Sequence, residues 1–305
     1  MSASGLVADQ ADTLRRLAGR AKVRTASDAA LRIRAGLRVI SVTSGKGGVG
    51  KSSIVVNLAS ALAAQGKRVL IIDSNPGMGD ICMRLGREAN SRFDRVIAGD
   101  VPLADALVEV GGGISILPAG VEIQQYTSLT PSDRQALLQG MISLQDRFDF
   151  FLIDTGSGVS ANVTSFASLA REILLVVTPE PTSVMDSYAL VKTLSGRDSS
   201  LKFKLLVNMC RDAKEAASLY AKLSAITGRF LQVSLEHSGS ILHDEMITES
   251  VRRRGALCSI FPGSKGALGF RELATNLLSQ DTAESVLVPE NLAAAPSWRN
   301  HELSS

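Results

Sequence analysis

The chain has 305 residues, with 33 Lys and Arg against 30 Asp and Glu, for a formal charge of +3. At 45% hydrophobic and 21% charged it can bury a full core, which excludes disorder of the whole chain. No apolar run approaches the roughly 20 residues that cross a bilayer, the start lacks a secretion signal's apolar stretch, and Cys82, Cys210 and Cys258 form no Cys-x-x-Cys pair. The expectation is a cytoplasmic protein with free thiols and no disulfide framework, zinc site or cysteine-ligated cluster.

Three regions follow from the charge pattern. Residues 1–38 carry a net +5, residues 281–305 a net −3, and the body 39–280 only +1. In the basic front, Asp9-Gln10-Ala11-Asp12-Thr13-Leu14-Arg15 suits a short helix, with Asp9 as its cap and Ala11, Leu14, Leu17 and Ala18 near one face. The acidic end, with Pro289, Pro296 and no periodicity, reads as a flexible tail.

From residue 39, β-branched runs alternate with amphipathic stretches, the rhythm of βαβ units. Strands are expected at Val39–Thr43, Val69–Asp73, Ile114–Pro118, Phe150–Asp154, Ile173–Thr178, Lys204–Asn208 and Leu231–Leu235. Helices are expected at 51–65, 132–146, 182–195, 212–226, 241–254 and 267–279. Runs such as LIID and ILLVV are apolar at every position, as in strands covered on both faces. The fold class is therefore α/β, a doubly wound, mostly parallel sheet of seven or eight strands flanked by helices.

Between the first strand and the first helix stands SGKGGVGKSS, residues 44–53, which satisfies G-x-x-x-x-G-K-[ST] with Gly45, Gly50, Lys51 and Ser52. Glycines let backbone N–H groups curl around phosphate oxygens, and the helix N-terminus adds a favourable dipole. Lys51 should meet the β and γ phosphates of ATP, and the Ser52 hydroxyl should ligate Mg2+. The ATP-binding set is thus Gly45, Lys46, Gly47, Gly48, Val49, Gly50, Lys51, Ser52 and Ser53.

The second lysine, Lys46 in KGGVGKS, resembles the deviant Walker A loop of the MinD/ParA family of P-loop ATPases. The resemblance covers about residues 39–280, with LIIDSNPGMGD similar to the first switch and FDFFLIDTGSG to the second. It implies that Lys46 crosses an ATP-dependent homodimer to the partner's nucleotide. It also implies that Asp154 supports Mg2+, that Asp73 supports the same ion or Lys51, and that the Asn208 amide reads the adenine ring. Family members carry an aspartate two residues after the first of this switch, where it orients the attacking water; this chain has Asn75. A neutral amide hydrogen-bonds water but takes no proton, so slow or partner-dependent hydrolysis is expected.

Within that family, the element formed by residues 9–15 resembles the D-Q-A-x-x-L-R helix of the FlhG (FleN, YlxH) branch, which docks on the GTPase FlhF. The resemblance implies a regulator of flagellar number or placement, with Asp9, Gln10, Ala11, Leu14 and Arg15 contacting FlhF. Flagellar switch components or a transcription factor are further partners that the sequence does not choose between. Two alternatives stand beside it: an ATP-bound scaffold that has lost hydrolysis, and a ParA-like DNA-partitioning ATPase suggested by the basic front. Nucleic acid is the less favoured partner. Phe270, Leu273, Ala274, Leu277 and Leu278 recur at helical spacing near the end of the body. They suit either a weak, reversible anchor at the inner face of the cell membrane or packing onto the sheet, and the acidic tail disfavours anionic bilayers.

Overall fold

The computed structural model describes residues 33–75, 80–88, 93–119 and 129–280. The front element at Asp9–Arg15 and the tail 281–305 lie outside the described residues. Eight strands form one sheet: Arg38–Ser44 (β1), Val69–Asp73 (β2), Val108–Gly111 (β3), Ile114–Leu117 (β4), Phe150–Ser157 (β5), Glu172–Val177 (β6), Lys202–Cys210 (β7) and Leu235–Leu242 (β8). Their spatial order is β3-β4-β2-β5-β1-β6-β7-β8. Every neighbouring pair is parallel except β3 with β4. The expected architecture is present, and β1, which leads into the glycine-rich loop, lies in the middle of it.

Both faces are covered because alternate residues of each strand point to opposite sides. Ile40, Val42, Ile71, Leu174 and Val176 pack beneath Lys51–Ala63 (α1) and Lys265–Ser279 (α10). On the other face, Val39, Leu70 and Ile72 pack with residues of Phe93–Ile97 (α3) and Pro131–Ser143 (α4). Farther along that face, Ile173, Leu175 and Val177 meet Pro181–Arg197 (α6) and Ala213–Leu231 (α7). Thr130 and Asp133 form a reciprocal capping box at the start of α4, behind Pro131, which needs no N–H there.

Several boundaries differ from the sequence expectation. The strand expected at Leu231–Leu235 is mostly helix end and turn: α7 runs on to Leu231, Gln232 takes a left-handed φ of 58°, and β8 begins at Leu235. The helix expected over 241–254 loses its first turn to β8, which pairs Asn208 with Ile241 and Cys210 with Leu242; only Met246–Arg252 (α8) is helical. The unpredicted β3 turns back on β4 through Gly111–Gly113, all three at positive φ. Asp80–Arg84 (α2), Ala161–Ala167 (α5), Leu257–Ile260 (α9) and a 3-10 turn at Leu103–Ala106 are further short helices.

The apolar face of α10 is covered. Phe270, Leu273, Ala274 and Leu277 are at most 1% exposed and pack on α1 and β8. The same stripe that the sequence offered to a membrane is therefore spent on the core. Among the described residues no helix is long and apolar enough to cross a membrane.

At the end of the sheet where β1 begins, a buried charge cluster ties the helix to the strands. Arg38 donates Nε to Glu172 at 3.0 Å and Nη1 to the Leu277 carbonyl. Lys204 lies 3.7 Å from Glu172, donates to Glu236 at 2.9 Å, and reaches Gln280 just beyond α10. Each buried charge thus has opposite partners, without which its desolvation would destabilise the fold. Leu273→Ala, which opens a cavity under α10, is expected to lower stability by about 2–5 kcal/mol in urea unfolding.

Candidate functional site

The glycine-rich loop leaves β1 at Ser44 and enters α1 at Lys51, at the C-terminal ends of the parallel strands, where open α/β sheets bind ligands. Three glycines have separate geometric reasons. A Cβ on Gly45 would lie 2.1 Å from the Asp186 carbonyl carbon and 2.5 Å from the Ser187 amide nitrogen, so loop and α6 touch backbone to backbone. Gly48 and Gly50 have φ of +79° and +90°, in the left-handed region.

Lys51 is 7% exposed, and its Nζ donates to Ser44 Oγ at 3.0 Å. Ser44 Oγ in turn donates to the Lys46 carbonyl at 2.7 Å, which fixes the loop's curl. Burial pushes the Lys51 ammonium below the ordinary lysine range, while the Asp154 carboxylate pulls back against that shift. Asp154 and Asp73 are 0% and 1% exposed and stand side by side in the β2–β5 register. Ser74 donates its hydroxyl to the Asp154 carbonyl at 2.8 Å, and the backbone N–H of Asn75 donates to Asp73 Oδ1 at 3.2 Å. Ser74 thereby ties the end of β2 to β5, since its backbone N–H also donates to the Asp154 carbonyl at 3.0 Å.

Each residue expected at the site except the front element is placed in this neighbourhood. Ser52, 8% exposed, opens α1 beside Lys51, and Ser53 follows it. Gly47 stands near Ser157 Oγ, across from the second switch. Asn208, 3% exposed, donates Nδ2 to the Val49 carbonyl at 2.7 Å and packs against Gly50. Its Oδ1 is buried and finds no hydrogen-bond partner among the described residues.

Lys46 stands on the loop's outer rim and forms an ion pair with Glu180, the residue before α6 in the same chain. Both are partly solvent-exposed, so the pair is weak and separable. Sequence reasoning missed Glu180 and Ser44. The signal for Glu180 was its place in TPEP, a charged residue directly after an apolar strand and before the Pro181 that opens a helix. Cys82, in α2, is also part of this region: burial and the nearby Asp73 charge push its thiol up to about 11, so it is an inert core group.

A buried lysine, a magnesium-type hydroxyl and two carboxylates at the mouth of a glycine loop define a P-loop nucleoside triphosphatase with a second, rim lysine. The sequence matches the AAA_31 family, described as an AAA domain, over residues 37–206. It is 39% identical over 238 residues to the antiactivator FleN of Pseudomonas aeruginosa, covering 78% of this chain and 85% of that one. It is 28% identical over 257 residues to the flagellum site-determining protein YlxH of Helicobacter pylori, covering 83% and 86%. The septum site-determining protein MinD of Pyrococcus horikoshii, solved with Mg-ADP, superposes with a TM-score of 0.65 at 25% identity, covering 79% of this chain and 96% of that one. The chain belongs to the MinD/ParA family of deviant Walker A ATPases, within its FleN/YlxH branch.

Because Gly45 meets α6 backbone, Gly45→Ala must displace either the loop or the helix. We expect its affinity for Mg-ATP to fall at least about tenfold, with a stability loss of about 1–3 kcal/mol, by titration calorimetry and thermal unfolding.

Proposed function

We propose that this chain is an ATP-switched regulator of flagellar number or placement, monomeric with ADP and dimeric with ATP. The observation that carries the switch is the division of labour between two lysines on one loop. Lys51 is buried in its own chain's phosphate cradle. Lys46 is held at the rim by a partly exposed carboxylate that a phosphate can outcompete. The flagellar role is supported by the similarity to FleN and YlxH over more than four fifths of their lengths.

In this reading the loop amides of Gly45 to Ser53 hold the phosphates, and Asn208 offers its buried Oδ1 to the adenine amine. Ser52, Asp154 and Asp73 supply oxygen donors of the kind a hard cation takes, and Mg2+, when bound, offsets phosphate charge. In an ATP-bound dimer, Lys46 leaves Glu180 and places its charge beside the partner's γ-phosphate, as a finger supplied in trans. Hydrolysis then depends on the group at position 75. Asn75 positions water through its amide but does not take the proton, which sets a low rate.

The test is turnover measured beside dimerisation. Asn75→Asp is expected to raise ATP turnover about tenfold or more while ATP-dependent dimerisation stays unchanged. No gain, with wild-type turnover near zero and dimers intact, supports the second reading that Asn75 favours, a nucleotide-locked scaffold.

For the front segment, we propose that Asp9, Gln10, Ala11, Leu14 and Arg15 form the helix that stimulates the GTPase FlhF. Deleting residues 1–20 is expected to abolish stimulation of FlhF GTP turnover and to leave ATP binding by the body intact. Unchanged GTP turnover would defeat the partner assignment alone. Weak membrane association would have to use a segment other than the buried face of α10.

A further inference from the structure

A groove between the C-terminal ends of α6 and α7 lies at the end of the sheet away from the phosphate loop. It holds about 740 Å³, and its lining includes Lys192, Lys202, Phe230, Val233 and Glu236. α7 stops beside it because Gln232 takes a left-handed φ of 58°, and the turn that follows lays Val233 on the cluster that α6 and α7 share. Phe230, in the last turn of α7, is left 63% exposed, with the Arg229 guanidinium over its ring at 5.2 Å from the centroid. One helical turn earlier, Ile226 is 41% exposed and extends the apolar patch. An aromatic ring gains about 1.5–3 kcal/mol when such a surface is fully covered.

Two observations say what covers it. The first is where the chain goes next. Gln280, directly after α10, accepts from Lys204 and donates to Glu236, and Glu236 is itself part of the groove's rim. Residues 281–288 start from that fixed point and lie outside the described residues. Eight residues span about 26 Å when extended, and strands lie about 4.8 Å apart, so this length rounds a single strand with ease. A single strand is all it must round, because β8 ends the sheet. The second observation is composition. Asp281-Thr282-Ala283-Glu284-Ser285-Val286-Leu287-Val288 holds two acids, no base and a run of three aliphatic residues. The groove offers the complement, Lys192 and Lys202 beside Phe230 and Val233, and its carboxylate, Glu236, is already paired with Lys204.

We propose that Asp281–Val288 folds back round the β8 edge into this groove as a strap, with Val286, Leu287 and Val288 over Phe230 and with Asp281 and Glu284 facing Lys202 and Lys192. Exposed ion pairs are individually weak, so the apolar contact carries the affinity and the charges select the placement. Tethering supplies the rest: a segment held at Gln280 has an effective concentration of about millimolar, so a contact too weak to capture a free peptide is occupied in the intact chain. The strap braces the C-terminal end of α6, whose other end carries Glu180 and the backbone that touches Gly45.

The experiment follows disulfide formation under mild oxidation in full-length Ser234→Cys/Leu287→Cys, with Leu268→Cys/Leu287→Cys as the comparison. Ser234 lines the groove, whereas Leu268 is 55% exposed on α10, twelve residues or about 18 Å of helix before Gln280 and within reach of the same length of chain. The native thiols do not compete, since burial pushes Cys82 and Cys258 up to about 11 and Cys210 in the same direction. The 234–287 bridge is expected to form within one chain at least about tenfold faster than the 268–287 bridge. Adding Phe230→Ser or Glu284→Lys should slow it at least about threefold, and Lys192→Glu should restore the rate lost to Glu284→Lys. In wild type, amide exchange at Gln232–Ser234 should be about fivefold slower than in Val286→Asp/Leu287→Asp. Equal rates for the two bridges, bridges between two chains, or a Glu284→Lys loss that Lys192→Glu leaves unrestored would overturn the strap. Unchanged exchange at Gln232–Ser234, or protection that falls along β8 because the segment adds a ninth strand to the sheet edge, would overturn it as well. Should Phe230→Ser fail to fold, Glu284→Lys and the exchange comparison decide the question. Both readouts are taken without nucleotide, so the strap and the nucleotide reading stand or fall separately.

Discussion

Taking a lysine ammonium out of water costs free energy unless anionic or hydrogen-bonding groups surround it. Lys51 is in that position: buried, hydrogen-bonded to the Ser44 hydroxyl, and partly compensated by the field of Asp154. Burial holds its pKa below the ordinary lysine range, a deficit of the kind that an anionic ligand would relieve. Much of the surrounding structure keeps Lys51 where an anion can reach it and water is scarce. The apolar face of α1 fixes the residue's height against the sheet. Gly45 lets α6 close one side, and Asn208 braces the other through Val49.

The same constraint separates binding from switching. A charge as deeply held as Lys51 cannot leave its chain, so any signal passed to a second molecule needs a cation with less to lose. Lys46 is such a cation: its partner, Glu180, is itself exposed, and water can replace either one at small cost. The switch strands are treated differently again. Asp73 and Asp154 are held in register by the β2–β5 ladder and by Ser74, and the Asn75 backbone N–H is itself tied to Asp73, so a change at position 75 alters side-chain chemistry on a held backbone.

How far the sequence foretold this depends on the range of each interaction. The loop residues were legible because eight consecutive positions, Gly45 to Ser52, carry both the chemistry and the turn. The central strands were legible because a strand covered on two faces is apolar at every position. Leu231–Leu235 misled because the end of amphipathic α7 places Leu231, Val233 and Leu235 in an alternating pattern, which a helix terminus and a short turn produce as readily as a strand. The β3 strand was hidden by its partial burial and its triple-glycine turn. Glu180 was only half legible: TPEP marks a charged residue ahead of a helix, but its partner Lys46 lies 134 positions away and only the fold brings them together. For α10 the stripe was visible, but what covered it depended on α1 and β8.

The charge cluster of Arg38, Glu172, Lys204, Glu236 and Gln280 bears on chain connectivity. Arg38 begins the first strand and holds the Leu277 carbonyl in the last helix, so the two ends of the ATPase body are neighbours. A body whose ends adjoin can in principle be circularly permuted, with a short bridge across the old ends and new ones opened at an exposed turn such as Gly111–Gly113. It also places residues 38 and 280, near the two limits of the body, at one end of the sheet. That end is separated from the phosphate loop by the length of β1, seven residues or about 23 Å of nearly inextensible strand. A load applied at residue 38 therefore reaches the phosphate loop along a single stiff strand.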